Sequence, residues 1–234
     1  PVATSSGRAV TVVVATDTRP TGGPISELAI RVFLLQGMNV RFLGVSASPE
    51  TMAYTKNADE IDGFFYVSAS HNPIGHNGLK LGNRDGAVLD GTIAATLIER
   101  FVELSEEQDF VEQLVVRTAN LEGATVDSVL SHRDEWKRRA LEAYLGFTTA
   151  IGSMGLADGS LDDLHARLEM KPIGVLGELN GSARTTSIDR SYLAGLGVRT
   201  AFHNDLTGSI VHQIVPEGPG RRPAAEMLEE LARS

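Results

Sequence analysis

The most constraining feature of this sequence is the alternation of short apolar runs with helical patterns over its first third. Residues 9–15 form a β-branched apolar run of the length and composition typical of a buried strand. Two more strands are predicted at 40–43 and 63–68, and helical patterns over 25–35 and 49–58 separate the three. A strand–helix–strand–helix–strand order predicts a parallel or mostly parallel sheet covered by helices.

Farther along the chain, helical patterns come first, and the strand–helix alternation then begins again. Residues 105–130 carry no clear pattern, and helices are predicted around them at 92–104, 132–151 and 161–168. The second alternation consists of a strand at 173–176, a turn at 179–181, a helix at 186–196 and a strand at 198–201.

These patterns together predict an α/β fold with mixed, mostly parallel sheets, helices on both faces and two successive α/β units. The first unit is assigned to residues 1–130, a helical connection to 131–170 and a second, partial unit to 171–234. The charged run 133–139, within the connection, is interpreted as the solvated face of a helix.

Composition excludes several classes of protein and of chemistry. The formal net charge of −9 argues against broad nucleic-acid binding, since clustered Lys and Arg hold phosphate backbones, so no nucleic-acid partner is expected. No apolar run approaches the roughly 20 residues of a membrane helix, so no membrane partner is expected. The absence of cysteine excludes disulfides, zinc–thiolate sites and thiol nucleophiles, and it is compatible with the cytoplasmic location that we expect.

The segment 68–80, SASHNPIGHNGLK, carries the residues best suited to chemistry. It follows a predicted strand directly, and open α/β sheets bind ligands beyond the carboxyl ends of their strands. Two Asn-containing turn signals fold the chain back, which would bring Lys80 near Ser70 together with His71 and His76. A hydroxyl flanked by imidazole and ammonium groups suits phosphoryl transfer, in which positioning and charge neutralisation supply most of the catalysis. The alternative is a polar turn whose side chains only cap backbone groups.

The same segment resembles the active-serine signature of the α-D-phosphohexomutases, the superfamily of phosphoglucomutase, phosphomannomutase and phosphoglucosamine mutase. In that signature a small hydroxyl residue followed by His-Asn-Pro carries the phosphoryl group, and a lysine lies ten positions further along. Ser70 and Lys80 match both the position and the spacing.

Further segments resemble the same family in the same order along the chain, while residues 105–170 are the least matched. The segments are 15–22 (ATDTRPTG), 44–49 (GVSASP), 177–181 (GELNG) and 212–218 (HQIVPEG).

The resemblance implies transfer through a phosphoserine. Phosphorylated Ser70 would donate its group to one hydroxyl of a hexose monophosphate, giving a bisphosphate, and the other phosphate would then return to the serine. Lys80 would handle the hydroxyl proton or stabilise charge, and His71 would lie beside the phosphoserine. A hexose phosphate is thus the expected substrate, and a hexose 1,6-bisphosphate the expected activator.

The resemblance also assigns binding residues. Asp17, Arg19 and Asn72 are expected to bind substrate or phosphate, because an arginine can face phosphate or carboxylate in a fork. The alternative for Asp17 and Arg19 is a structural pair that braces the loop. Mg²⁺ is the expected cofactor, with the phosphate on Ser70 supplying one of its ligands.

Two segments of the family lack a counterpart in this sequence: the "GTxGxR" loop ahead of the first strand and the "DGDxD" metal loop after the second unit. The remaining metal ligands are therefore expected elsewhere, and the C-terminal domains of the same enzyme are an expected partner. We predict a phosphohexomutase fragment with little activity of its own. A non-catalytic sugar-phosphate binding or regulatory module with the same fold, and an unrelated α/β domain with a chance Ser-His-Asn-Pro turn, are the alternatives.

Overall fold

The computed structural model describes residues 4, 5, 7–70, 72–154, 161–211, 229 and 233. Within them, the larger sheet is formed by strands β1 (Thr11–Thr16), β2 (Asn39–Val45), β3 (Gly63–Val67) and β4 (Leu79–Asn83). The strand order is β2-β1-β3-β4; β1 is parallel to both β2 and β3, whereas β4 is antiparallel to β3. The predicted mixed, mostly parallel sheet is therefore confirmed.

Strand β1 is the buried centre of this sheet, and all six of its residues are buried. Because successive side chains point to opposite faces, Val13 and Val14 pack into two different clusters of buried residues. We call these the Val13 cluster and the Val14 cluster. A strand that is apolar on both sides requires cover on both faces of the sheet, as is usual in parallel sheets.

Helices supply that cover on both faces. These helices are α1 (Gly22–Leu35), α2 (Ser48–Asn57) and, three helices later in the chain, α6 (Arg133–Gly152). Ile30 of α1 packs in the Val14 cluster, whereas Tyr54 of α2 and Ala140 of α6 pack in the Val13 cluster. Helix α6 thus covers the first sheet, although its residues were assigned to a connection; the domain boundaries themselves stay predictions.

Along the chain, three helices lie between β4 and α6: α3 (Gly91–Glu106), α4 (Gln108–Ala119) and α5 (Gly123–Ser131). Helix α3 agrees with the helix predicted at 92–104, and the Asp90 carboxylate caps its first turn by accepting the N–H groups of Thr92 and Ile93. Helices α4 and α5 occupy the stretch to which the sequence assigned no element. Helix α4 packs against α1 and α3.

The second strand–helix–strand unit is also present. It comprises α7 (Asp162–Met170), β5 (Gly174–Glu178), a 3₁₀ turn (Ala183–Thr186), α8 (Asp189–Gly195) and β6 (Arg199–His203), with β5 and β6 parallel. The helix predicted from residue 186 begins only at Asp189. The reason is that Ser187 has an extended backbone, and Arg184 pairs with Asp189 across the bend.

None of the helices that the structure describes combines the length and the apolar character needed to cross a bilayer. His71 and the segment 212–218, both singled out in the sequence, lie outside the described residues.

Candidate active site at the serine loop

The serine loop, residues 68–78, leaves the carboxyl end of β3 beside the carboxyl end of β1. Ser70 is exposed within it and has a left-handed backbone conformation, with φ of 55°. Such a φ is uncommon for a residue other than glycine and persists where surrounding contacts hold it. The Ser70 N–H donates to Ser68 Oγ at 3.2 Å, and the Ser68 N–H donates to the Gly78 carbonyl at 2.9 Å. The loop therefore presents Ser70 in a defined position at the edge of the sheet.

Arg19 binds this loop from the segment that follows β1. Its Nη2 donates to the carbonyls of Ser70 and Asn72 at 2.7 and 2.9 Å, and its Nη1 donates to the Pro73 carbonyl at 2.9 Å. Its Nε donates to the Asp17 carboxylate at 3.0 Å, and only 8% of the arginine is exposed. These are the contacts of a brace, which is the alternative that the sequence left open. Phosphate binding by Asp17 and Arg19 stays a prediction.

A cavity of about 280 Å³ lies between the serine loop and the second unit. The first unit lines it with residues that include Asp17, Arg19, Ser68, Ser70 and Asn72. The second unit lines it with Asn180, Ser182, Ala183 and Arg184. The structure thus brings four predicted site residues of the first unit together, and it adds polar residues of the second unit to which the sequence assigned no role.

The loop after β5 forms the second wall of this cavity. The Glu178 carboxylate accepts the Asn180 N–H at 2.8 Å and the Asn204 Nδ2–H at 3.0 Å, so this acidic side chain anchors the turn. Gly181 has φ of 61°, and a Cβ there would come within 2.6 Å of the Ser209 backbone. Only glycine fits such a position without strain. The Asn-Gly turn signal in the sequence therefore corresponds to the turn that forms this wall.

Arg184 is the cation of the second wall. Its Nε and Nη2 donate to the two carboxylate oxygens of Asp189, and its Nη1 lies 3.4 Å from the Tyr144 hydroxyl. Burial acts to lower the pKa of Arg184, but the hydrogen bonds and the charge of Asp189 outweigh it and raise the pKa. The guanidinium is therefore charged and oriented, and Arg184 lines the cavity from the second unit.

Lys80 lies on β4, directly opposite Tyr66 of β3. Its Nζ is 5.8 Å from the centroid of the Tyr66 ring. Tyr66 lines the cavity and Lys80 does not, so the predicted closeness of Lys80 to Ser70 stays a prediction. His76 is exposed in the serine loop.

A buried ion pair lies beside the cavity wall, and the sequence did not reveal it. The Glu50 Oε2, fully buried on α2, accepts hydrogen bonds from Lys137 Nζ at 2.5 Å and from Ser46 Oγ at 2.7 Å. Burial lowers the pKa of Lys137, and the charge of Glu50 opposes that effect. The interpretation of the run 133–139 as a solvated face is wrong for Lys137, whose side chain is 15% exposed, because α6 packs against α2.

Residues 2–108 match the family profile described as phosphoglucomutase/phosphomannomutase, alpha/beta/alpha domain I. A phosphoglucosamine mutase of Limosilactobacillus reuteri is 31% identical over 211 residues, which cover 83% of this chain and 44% of that protein. A phosphoglucosamine mutase of Dictyoglomus turgidum is 35% identical over 86 residues, which cover 37% of this chain and 19% of that protein.

A solved structure of a phosphoglucomutase/phosphomannomutase family protein from Burkholderia thailandensis aligns with a TM-score of 0.48 at 14% identity, over 90% of this chain and 39% of that chain. The sequence matches, rather than this alignment, carry the assignment. The matches support the phosphohexomutase superfamily for this chain, most directly for residues 2–108. Within it, the chain corresponds to the N-terminal region, and it spans less than half the length of the curated relatives it matches.

Proposed function

We propose that this chain is the phosphoserine-bearing part of a phosphohexomutase, with Ser70 as the residue that carries the phosphoryl group. One observation supports this most: Ser70 is exposed at the wall of the cavity while Arg19 holds its loop through three carbonyl groups. Phosphoryl transfer needs a nucleophile that is open to the substrate and fixed in position, because positioning supplies much of the catalysis.

The proposed transfer has two halves. In the first, a hydroxyl of the hexose monophosphate attacks the phosphorus on Ser70, the bond from phosphorus to Ser70 Oγ breaks, and the hydroxyl loses its proton. In the second, Ser70 Oγ attacks the other phosphate of the bisphosphate, the bond from that phosphorus to the sugar oxygen breaks, and the oxygen gains a proton. Lys80 is the proposed group that handles this proton or offsets the charge, and His71 the proposed neighbour of the phosphoserine.

Both walls of the cavity suit a hexose phosphate. Asn72 on the first wall, with Asn180 and Ser182 on the second, offers amide and hydroxyl groups that match sugar hydroxyls. Arg184 offers the charge that a phosphate requires. The relative from Limosilactobacillus reuteri, whose alignment covers 83% of this chain, is a phosphoglucosamine mutase, which favours a glucosamine phosphate within the wider class of hexose phosphates.

The described residues do not fit a complete Mg²⁺ site. Among them there is no group of three or more His, Cys, Asp or Glu side chains arranged to hold a metal ion. The one carboxylate in the first wall, that of Asp17, is bonded to Arg19. Protein Mg²⁺ sites commonly use one or two carboxylates besides phosphate oxygens, and a phosphate on Ser70 supplies only the latter. Mg²⁺ therefore stays a prediction from the resemblance.

The test is intact-mass analysis of the purified chain after incubation with the 1,6-bisphosphate of glucose or of glucosamine, each with and without MgCl₂. We expect a gain of one phosphate, which fragmentation maps to Ser70 and which Ser70→Ala abolishes. Ser131→Ala is the matched control, because it removes a hydroxyl from the exposed end of α5 and should keep the gain.

Other outcomes separate the alternatives. Binding of the bisphosphate without transfer would favour a non-catalytic sugar-phosphate binding module. Phosphate on a residue other than Ser70, or neither binding nor transfer, would overturn the proposal.

A further inference from the structure

Tyr66 connects Lys80 with the cavity through the register of two strands. Antiparallel pairing places Tyr66 of β3 directly opposite Lys80 of β4, so both side chains lie on one face of the sheet. Ser68, two residues after Tyr66, continues that face, and both Tyr66 and Ser68 line the cavity. Tyr66 is therefore the cavity residue that Lys80 contacts.

The contact is between a cation and an aromatic ring. The Lys80 Nζ lies 5.8 Å from the centroid of the Tyr66 ring, within the distance of about 6 Å at which such rings attract cations. Only 3% of Tyr66 is exposed, so water screens this attraction less than it would at the surface. Burial raises the pKa of the Tyr66 hydroxyl, and the charges of Asp17 and Glu50 add to the increase, so the ring stays a neutral phenol.

A chain of buried hydrogen bonds holds the ring in place. The Tyr66 hydroxyl donates to the Ser46 carbonyl at 2.8 Å. The Ser46 Oγ donates to Glu50, which also accepts from Lys137. If the ring turned away, the Ser46 carbonyl would lose its partner in a buried place, which is unfavourable. Ser46 thus joins the ion pair between α2 and α6 to Tyr66, through its hydroxyl on one side and its carbonyl on the other.

We infer that Tyr66 is a positioning residue for Lys80: its ring holds the ammonium group on the cavity side of the sheet, beside the serine loop. The catalytic half of this inference rests on the proposed function. Replacing the ring with an apolar chain should slow phosphate uptake by Ser70 about fivefold, the size of a partly desolvated cation–π contact. Removing only the hydroxyl should slow the uptake less, because the ring remains but loses its hydrogen bond to Ser46.

The contact itself can be measured without any turnover. The chain has four lysines, so ¹³Cε-labelled lysine yields four signals that Lys→Arg variants assign: Lys56, Lys80, Lys137 and Lys171. Because Lys80 lies against a ring, its Hε signal should be upfield of those of Lys56 and Lys171. In Tyr66→Met the signal should move to the position of an exposed lysine. In Tyr66→Phe, which keeps the ring but loses its hydrogen bond to Ser46, the signal should lie between the two. Tyr54→Met, which removes another ring from the Val13 cluster, is the matched control and should leave the Lys80 signal unchanged.

A Lys80 signal that does not move in folded Tyr66→Met protein overturns the inference, and so does phosphate uptake that is equal in Tyr66→Met and in the control. If circular dichroism shows that Tyr66→Met does not fold, the Lys80 signal is read in the unmodified protein and in Tyr66→Phe instead. A Lys80 signal at the position of an exposed lysine in either protein overturns the inference. An unmodified chain that never takes up phosphate refutes the proposed function, while the lysine signals still decide whether Tyr66 positions Lys80.

Discussion

The two units of this chain are held together in different ways, although both line one cavity. In the first, every residue of β1 is buried and clusters of apolar side chains cover both faces of the sheet. In the second, no residue of β5 or β6 is buried, and Leu176 is 43% exposed. Two strands with a short helix beside them bury little apolar surface, and such a sheet gains little stability from its own core.

Local polar contacts hold the second unit instead. Glu178 anchors the turn after β5, Arg184 pairs with Asp189, and Arg190 pairs with Asp205. Pairs of this kind near the surface add little stability. The sheet behind the serine loop therefore belongs to a buried core, whereas the opposite wall should open at a lower free energy.

The largest loss of stability is expected for Lys137→Met, which removes the cation of the buried ion pair in the first unit. Glu50 would then be left buried without a cation, which should reduce the free energy of unfolding by about 3–5 kcal/mol at neutral pH. Urea unfolding followed by circular dichroism measures this loss.

Arg138→Met is the matched control, because the neighbouring residue forms an exposed pair with Glu142 on the same helix. Its cost should stay below about 1 kcal/mol. The double variant Glu50→Gln/Lys137→Met removes both charges and should recover part of the loss. Equal costs for Lys137→Met and Arg138→Met would show that the buried pair does not support the first unit.

The next effect compares the two apolar interiors directly. Ile30→Ala, at a fully buried position in the Val14 cluster, should cost about 2–5 kcal/mol, since it deletes apolar contacts and leaves a cavity. Leu176→Ala, on β5, should cost less than about 1 kcal/mol. The measurement is again the free energy of unfolding in urea. Similar losses of unfolding free energy at the two positions would show that the two units do not differ in this way.

Arg19→Lys tests whether the brace fixes the serine loop. A lysine keeps the charge but lacks the planar fork that reaches three carbonyls at once, so stability should fall by about 1–3 kcal/mol. Hydrogen exchange of the serine-loop amides should accelerate, and phosphate uptake by Ser70 should slow. Arg31→Lys, on the surface of α1, is the control and should change neither rate. Unchanged exchange in Arg19→Lys would mean that the loop is fixed without the brace.

The smallest effect is expected in the pH dependence of the stability that Asp62 contributes. Burial acts to raise the pKa of Asp62, but hydrogen bonds from Arg8 and from the Thr11 N–H outweigh it and hold the pKa below its usual value. The resulting stabilisation is present above the unfolded pKa, about 3.9, and is lost as the pH falls through the lower, folded pKa. The difference in urea midpoint between the unmodified protein and Asp62→Asn should therefore shrink below about pH 4. Arg8→Met should show the same trend, and a difference that is constant with pH would contradict the assignment.

Much of the first unit could be predicted because its signals are local. The β-branched run at the start and the helical spacing after it are properties of neighbouring residues, and both elements form where expected. The turn at Asn180 and Gly181 was equally visible, since it requires positive φ. The burial of Lys137 could not be predicted, because charge within a helical pattern is typical of a solvated face unless a distant carboxylate meets it.

By itself, the sequence determined the two strand–helix alternations, the serine loop and the family resemblance, since these depend on residue types at short spacing. Only the tertiary structure decided which polar groups face the cavity and which are bound elsewhere. Arg19 binds carbonyls that lie 51 to 54 residues further along the chain, and Lys137 binds a carboxylate 87 residues before it. The physical reason is that hydrogen bonds and burial depend on which segments pack together, and local patterns of residue types do not record that packing.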